Sequence, residues 1–263
     1  MPNFFDTHSH VHFPQFDEDR GSVLARMRKK DVYTIVVGTM FDTSRGARDF
    51  AEANEGVWAT IGVHPTDSTE GFEFGVYKEL LSEKVVAIGE CGLDYFRGER
   101  DELYPEQKDT FENQIEFAVE NDLPLMLHIR PSQGSNNAHT DALEILKSYQ
   151  RSHGEKVRGN THFFTSSAEV AKQYWDIGFT TAIPGVVTFA PEMHETVRQA
   201  PIEMLLSETD APYAAPVPHR GERNEPIFVE EVVKTIADLR GEDVEKVAPQ
   251  LVKNALRVFA IDA

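Results

Sequence analysis

At 263 residues, with 40% hydrophobic and 27% charged side chains, the chain can build one large core beneath a solvated surface, which excludes a disordered or fibrous protein. Its 44 acidic and 26 basic residues leave a net charge of -18, which argues against long tracking contacts on a nucleic-acid backbone but leaves metal-mediated binding of a short anionic end open. A single cysteine, Cys91, excludes an internal disulfide framework.

Short apolar and β-branched runs alternate with longer amphipathic segments, the pattern of parallel β/α units. Strands are expected at Asn3 to Thr7, Tyr33 to Gly38, Val57 to Gly62, Val85 to Gly89, Pro124 to His128, Val157 to His162, Phe179 to Ile183 and Glu203 to Ser207. Arg158, Gly159 and Asn160 interrupt the sixth. Helices are expected at Glu106 to Asn121, Val229 to Leu239 and Val244 to Phe259, the last with an apolar seam through Val247, Leu251, Ala255, Val258 and Phe259. About eight strands is the count of a TIM-like (β/α)8 barrel, so the expectation is one α/β domain over residues 1–263. No run is long and apolar enough to span a membrane and the start lacks a leader pattern, so a cytoplasmic protein is expected; the acidic charge favours a monomer.

The chemistry concentrates where strands end. His8 and His10, two apart at the end of the first strand, share one face and can converge on one ion. Glu90 closes Val86-Ala87-Ile88-Gly89-Glu90, His128 closes Pro124-Leu125-Met126-Leu127-His128, His162 precedes Phe163-Phe164-Thr165, and Asp210 follows Met204 to Thr209. Singly, Glu90 and Asp210 also read as ion-pair partners of arginines, and His128 as a core histidine bonded to backbone. Together, ligand-competent side chains at about five strand ends describe one metal-binding cavity on the βα loops, because a buried carboxylate or imidazole needs a partner.

Five segments resemble the TatD family of metal-dependent deoxyribonuclease-like hydrolases in the amidohydrolase superfamily: Asp6 to His10, Gly89 to Tyr95, Pro124 to Arg130, His162 to Thr165 and Glu208 to Tyr213. The tail segments Arg220 to Pro226 and Asn254 to Phe259 look like the family's as well. The resemblance implies two divalent ions, one on His8, His10 and Asp210, the other on His128 and His162, with Glu90 bridging. Nitrogen and oxygen donors without thiolate are compatible with magnesium, manganese or zinc.

It also implies cleavage of phosphodiester bonds, with nucleic-acid ends as substrate, Asp210 accepting a proton from water and Glu90 setting the ion spacing. Arg130 and Arg223 are candidate phosphate contacts and His64 a candidate substrate contact, each with a bland alternative as surface charge or loop histidine. Thr66, Phe163 and Ser166 depart from residues common in the family, with consequences for specificity. An amide or ester hydrolase, such as one acting on aminoacyl-tRNA, and a non-catalytic metal-binding interaction protein are the competing readings. His12, His139, His153, His194 and His219 are expected at solvated positions, and Cys91 as a packed thiol.

Overall fold

The computed structural model describes residues 1–262. Eight parallel strands, β1 (Phe4–Ser9), β2 (Val32–Val37), β3 (Val57–Ile61), β4 (Val85–Asp94), β5 (Leu125–Arg130), β6 (Gly159–Thr161), β7 (Thr180–Ile183) and β8 (Leu205–Ser207), pair in sequence order. Around them lie α1 (Arg20–Lys30), α2 (Phe41–Glu52), α3 (Phe74–Lys78), α4 (Arg100–Glu120), α5 (Asn137–His153), α6 (Ala168–Trp175), α7 (His194–Gln199), α8 (Val229–Arg240) and α9 (Val244–Val258). This is the expected single-domain barrel, nearly closed. Across the last seam, Thr7 Oγ1 donates to the Ser207 carbonyl (3.1 Å), Ser207 Oγ donates to the Phe5 carbonyl (3.1 Å), and Ser9 bridges to Ala211.

The apolar core lies mainly between strands and helices, with Phe111, Ile115 and Phe117 of α4 packed in the same cluster as Ile88, Leu93 and Leu127. Each such fully buried side chain contributes roughly 1.5–3 kcal/mol of transfer free energy. Asp6 is buried too: its carboxylate accepts from the Thr209 amide (2.7 Å) and hydroxyl (2.8 Å), tying β1 to the segment that carries Asp210.

Most boundaries move by one or two residues from the sequence expectation, and two, the end of β4 and the start of α4, move further for a local reason. β4 runs on to Asp94, because Gly89 and Gly92 allow a shift in register against β5. A Cβ at either position would stand 2.4 Å from the Met126 carbonyl oxygen or 2.3 Å from that of His128. α4 starts at Arg100 and passes through Pro105, its sixth residue, where the ring removes the one intrahelical bond that would reach the carbonyl of the exposed Asp101. Its first residue is also anchored, with Arg100 gripping Asp141 at 2.8 and 2.9 Å. β6 shrinks to Gly159–Thr161, leaving Val157 outside the ladder.

Candidate metal centre

The first histidine pair is built by β1. His8 and His10 turn their Nε2 atoms toward each other at 3.3 Å, and both rings are buried. His10 Nδ1 lies 3.0 Å from the Val37 carbonyl oxygen, which only accepts, so Nδ1 carries the proton and Nε2 is free to ligate. Asp210 Oδ1 completes this group, 3.5 Å from His10 Nε2 and 3.8 Å from His8 Nε2. Asp210 has a left-handed backbone (φ 56°), and its amide donates to the His8 carbonyl oxygen (2.9 Å), so β1 itself holds the segment after β8 in place.

Glu90 stands between this group and a second one. Its Oε1 lies 2.8 Å from both His128 Nδ1 and His162 Nε2, while Oε2 faces the first pair, 3.5 Å from His8 Nε2 and 4.0 Å from His10 Nε2. Four triads have their donor atoms within 4.8 Å of one another: His8, His10 and Asp210; Glu90, His128 and His162; His8, His162 and Glu208; and His64, Asp94 and His128.

Behind the ligand-competent atoms lie two carboxylates, one hydrogen-bonded to a ring and one close to a second ring. Asp94 Oδ2 is 3.0 Å from His128 Nε2, and Glu208 Oε1 is 3.5 Å from His162 Nδ1. Burial alone would push the Glu90 carboxyl up, yet the surrounding histidines, His162 foremost, hold it well below the usual range. Burial likewise works against a charged His162, but Glu90 and Glu208 hold its imidazolium well above the ordinary histidine value. Burial and the charge on His162 depress His8. The buried carboxylates therefore demand positive charge, and the lone pairs facing inward suit a cation that would supply it in place of protons. The residues present fit a divalent metal.

These groups floor a cavity of about 830 Å³. The size suits a small ligand or the end of a chain. His64 lies in its wall. The Thr66 amide donates to His64 Nδ1 (3.1 Å), so Nε2 carries the proton and points an N–H toward Glu90 Oε1, 3.6 Å away. Burial lowers the pKa of His64 to about 3, which keeps the ring neutral. Arg130 also lines the cavity, its guanidinium stacked 3.8 Å above the centre of the Phe96 ring, with no ion pair or side-chain hydrogen bond among the described residues.

Arg223 is not among the residues lining the cavity. Its guanidinium is occupied by both Asp19 oxygens (2.7 Å each) and the Gln15 carbonyl (2.9 Å), and it rests on Phe16, because the loop after β8 folds back over the segment after β1. Phe163 and Ser166 do line the cavity, as does Thr66.

Two of the histidines expected in solvent are packed instead. His139 is 5% exposed, with Nδ1 3.1 Å from the Tyr174 hydroxyl, since it shares the buried face of α5 with Ala138, Ala142 and Leu146. His12 is wedged beside Phe13 and Phe50, and neither ring nitrogen has a partner. His194 is half-buried and reaches the Val187 carbonyl (3.0 Å). Cys91 is a packed thiol, and burial pushes its pKa up. Asp94, Glu208 and Asp6 are buried carboxylates around the site that sequence reasoning did not single out. Glu208 directly follows β8, a local sign that could have marked it, whereas Asp94 lies five residues beyond the expected end of the fourth strand.

Comparison with known proteins shows the family. A family model described as "TatD related DNase" matches residues 5–260. The chain belongs to the TatD family. Among TatD-family relatives, the uncharacterized metal-dependent hydrolase YabD of Bacillus subtilis is 39% identical over 264 residues, covering 98% of this chain and 99% of the relative. A protein named 3'-5' ssDNA/RNA exonuclease TatD from Cronobacter sakazakii is 35% identical over 272 residues, with 98% of each chain covered. The crystal structure of the TatD homolog YjjV from Escherichia coli superposes with a TM-score of 0.87 at 27% identity, covering 99% of both chains. No helix among the described residues is long and apolar enough to cross a membrane.

Proposed function

We propose that this TatD-family chain is a metal-dependent hydrolase that cleaves phosphodiester bonds at nucleic-acid ends. His8, His10 and Asp210 would hold one divalent cation and His128 and His162 a second, with Glu90 shared between them. The observation that carries this reading is the Glu90 carboxylate, which turns one oxygen to each histidine pair. Magnesium, manganese and zinc all suit the donors.

Bound there, two such ions would lower the pKa of a water toward neutrality and offset the charge of a phosphodiester. Asp210, whose side chain is 14% exposed and faces the cavity, is placed to take the water's proton on a carboxylate oxygen. Asp94 and the Val37 carbonyl hold the imidazoles of His128 and His10 with the correct nitrogen turned inward. His64 offers its Nε2–H to a substrate oxygen, and Arg130, with no carboxylate to bind, offers its guanidinium to a phosphate. The exonuclease name carried by relatives at about a third identity supports the choice of substrate. The net charge of -18 argues against tracking along a backbone and leaves capture of a short end open.

The test is to incubate metal-loaded protein with an end-labelled single-stranded oligodeoxynucleotide and resolve the products by length. A ladder shortening from one end, absent with a chelator and absent in Glu90→Ala, is expected. Equal cleavage by Glu90→Ala overturns the role of Glu90. Intact DNA alongside turnover of aminoacyl or acyl esters overturns the choice of substrate.

A further inference from the structure

One wall of the cavity has no part in the chemistry above. Phe163 lines it with its ring partly exposed, on a backbone in the left-handed region (φ 45°) that a bulky aromatic rarely adopts. Its amide donates to Glu208 Oε1 at 2.5 Å, which holds the conformation. Strain of this kind persists where the surroundings enforce it and collects at functional sites.

The next residue, Phe164, is buried against His139 and Tyr174, with ring centres 5.8 and 6.2 Å away, so the same wall continues into the first turn of α5. There His139 also lines the cavity. Its Nδ1 is taken by the hydroxyl of the fully buried Tyr174, while Nε2 makes no hydrogen bond to the protein among the described residues. One ring nitrogen thus satisfies the buried Tyr174 hydroxyl and the other is left available. Burial lowers the pKa of His139 to about 4, so the ring is neutral at neutral pH.

An aromatic face and an uncharged hydrogen-bonding ring lining one cavity suit a flat heterocycle with a polar edge. Phosphate is better served by the guanidinium groups that reach the same cavity from other segments, Arg97 after β4 and Arg130 at the end of β5.

We propose that Phe163 and His139 form a nucleobase subsite: the base beside the cleaved phosphodiester stacks on the Phe163 ring, and its edge hydrogen-bonds His139 Nε2. This inference rests on the nucleic-acid reading of the site. Phe163 and His139 then set which nucleotides are accepted, while the metal-binding residues act on the phosphate.

Calorimetric binding of deoxyadenosine 5'-monophosphate and of 2-deoxyribose 5-phosphate to the metal-loaded protein tests it, because the two ligands differ only in the base. The nucleotide should bind about tenfold tighter or more, the range of one base–aromatic stack. Phe163→Leu should erase most of that preference and Phe163→Tyr should keep it. His139→Leu should reduce it several-fold, and the sugar phosphate should bind all four proteins alike. Equal affinity of the wild type for both ligands, including binding of neither, overturns the proposal, as does a preference that survives Phe163→Leu. Cleavage of methyl p-nitrophenyl phosphate, which has no base, reports separately on phosphodiester hydrolysis. Base preference without that cleavage leaves the subsite standing and removes the hydrolytic reading.

Discussion

Asp94 offers the sharpest test of how the centre is held together. It is 3% exposed, and Oδ2 lies 3.0 Å from His128 Nε2, while Oδ1 accepts from the Phe96 amide at 2.9 Å. Replacing it with alanine leaves His128 Nε2–H without an acceptor and frees the ring to turn Nδ1 away from Glu90. A hydrogen bond to a charged partner contributes about 1.5–3 kcal/mol, which at about 1.4 kcal/mol per decade is roughly a 10- to 100-fold loss in affinity. Loss of a carboxylate behind a ligating histidine costs a similar factor. Metal titration of Asp94→Ala by calorimetry should therefore show the site containing His128 weakened about 10- to 100-fold, with the site containing His10 nearly unchanged. Asp94→Asn keeps a carbonyl acceptor and should lose less. Unchanged affinity at both sites in Asp94→Ala would refute the idea that this contact orients His128.

The two arginines singled out by sequence should now separate. Arg130→Ala should raise KM for a phosphodiester by about tenfold or more, because its donors are free, while steady-state kinetics of Arg223→Ala should show less than about a twofold change. The Arg223–Asp19 pair is 31% and 38% exposed, so its loss should cost under about 1 kcal/mol of stability, read from the urea midpoint. His139 has a pKa lowered by burial from 6.5 to about 4. It therefore adds stability that is fully present above pH 6.5 and is lost as pH falls toward about 4, on the order of 3 kcal/mol in all. Denaturation midpoints of His139→Leu should accordingly fall less steeply than those of the wild type across that window. Phe111→Ala empties a fully buried position on α4 and should cost about 3–5 kcal/mol in chemical denaturation.

Local sequence was enough for the barrel and for naming the ligand-competent residues that the fold gathers at one end of it. Strand period, helix period and polar residues just past apolar runs are properties of neighbours in the chain, and in a barrel every strand end opens on the same face. His8, His10, Glu90, His128, His162 and Asp210 could thus be named from their positions, although not their distances. What chain neighbours do not encode is which face of a helix is buried and where a loop returns. Only the packing of α5 on the barrel buried His139 against Tyr174, and only the loop after β8 folding back on Asp19 removed Arg223 from the cavity wall. The bend at Gly89 and Gly92 depends in the same way on the β5 carbonyls lying alongside. Candidate donors are written in single residues; the pairing of His128 with Asp94, which fixes the orientation of that ring, arises only when two strands lie side by side.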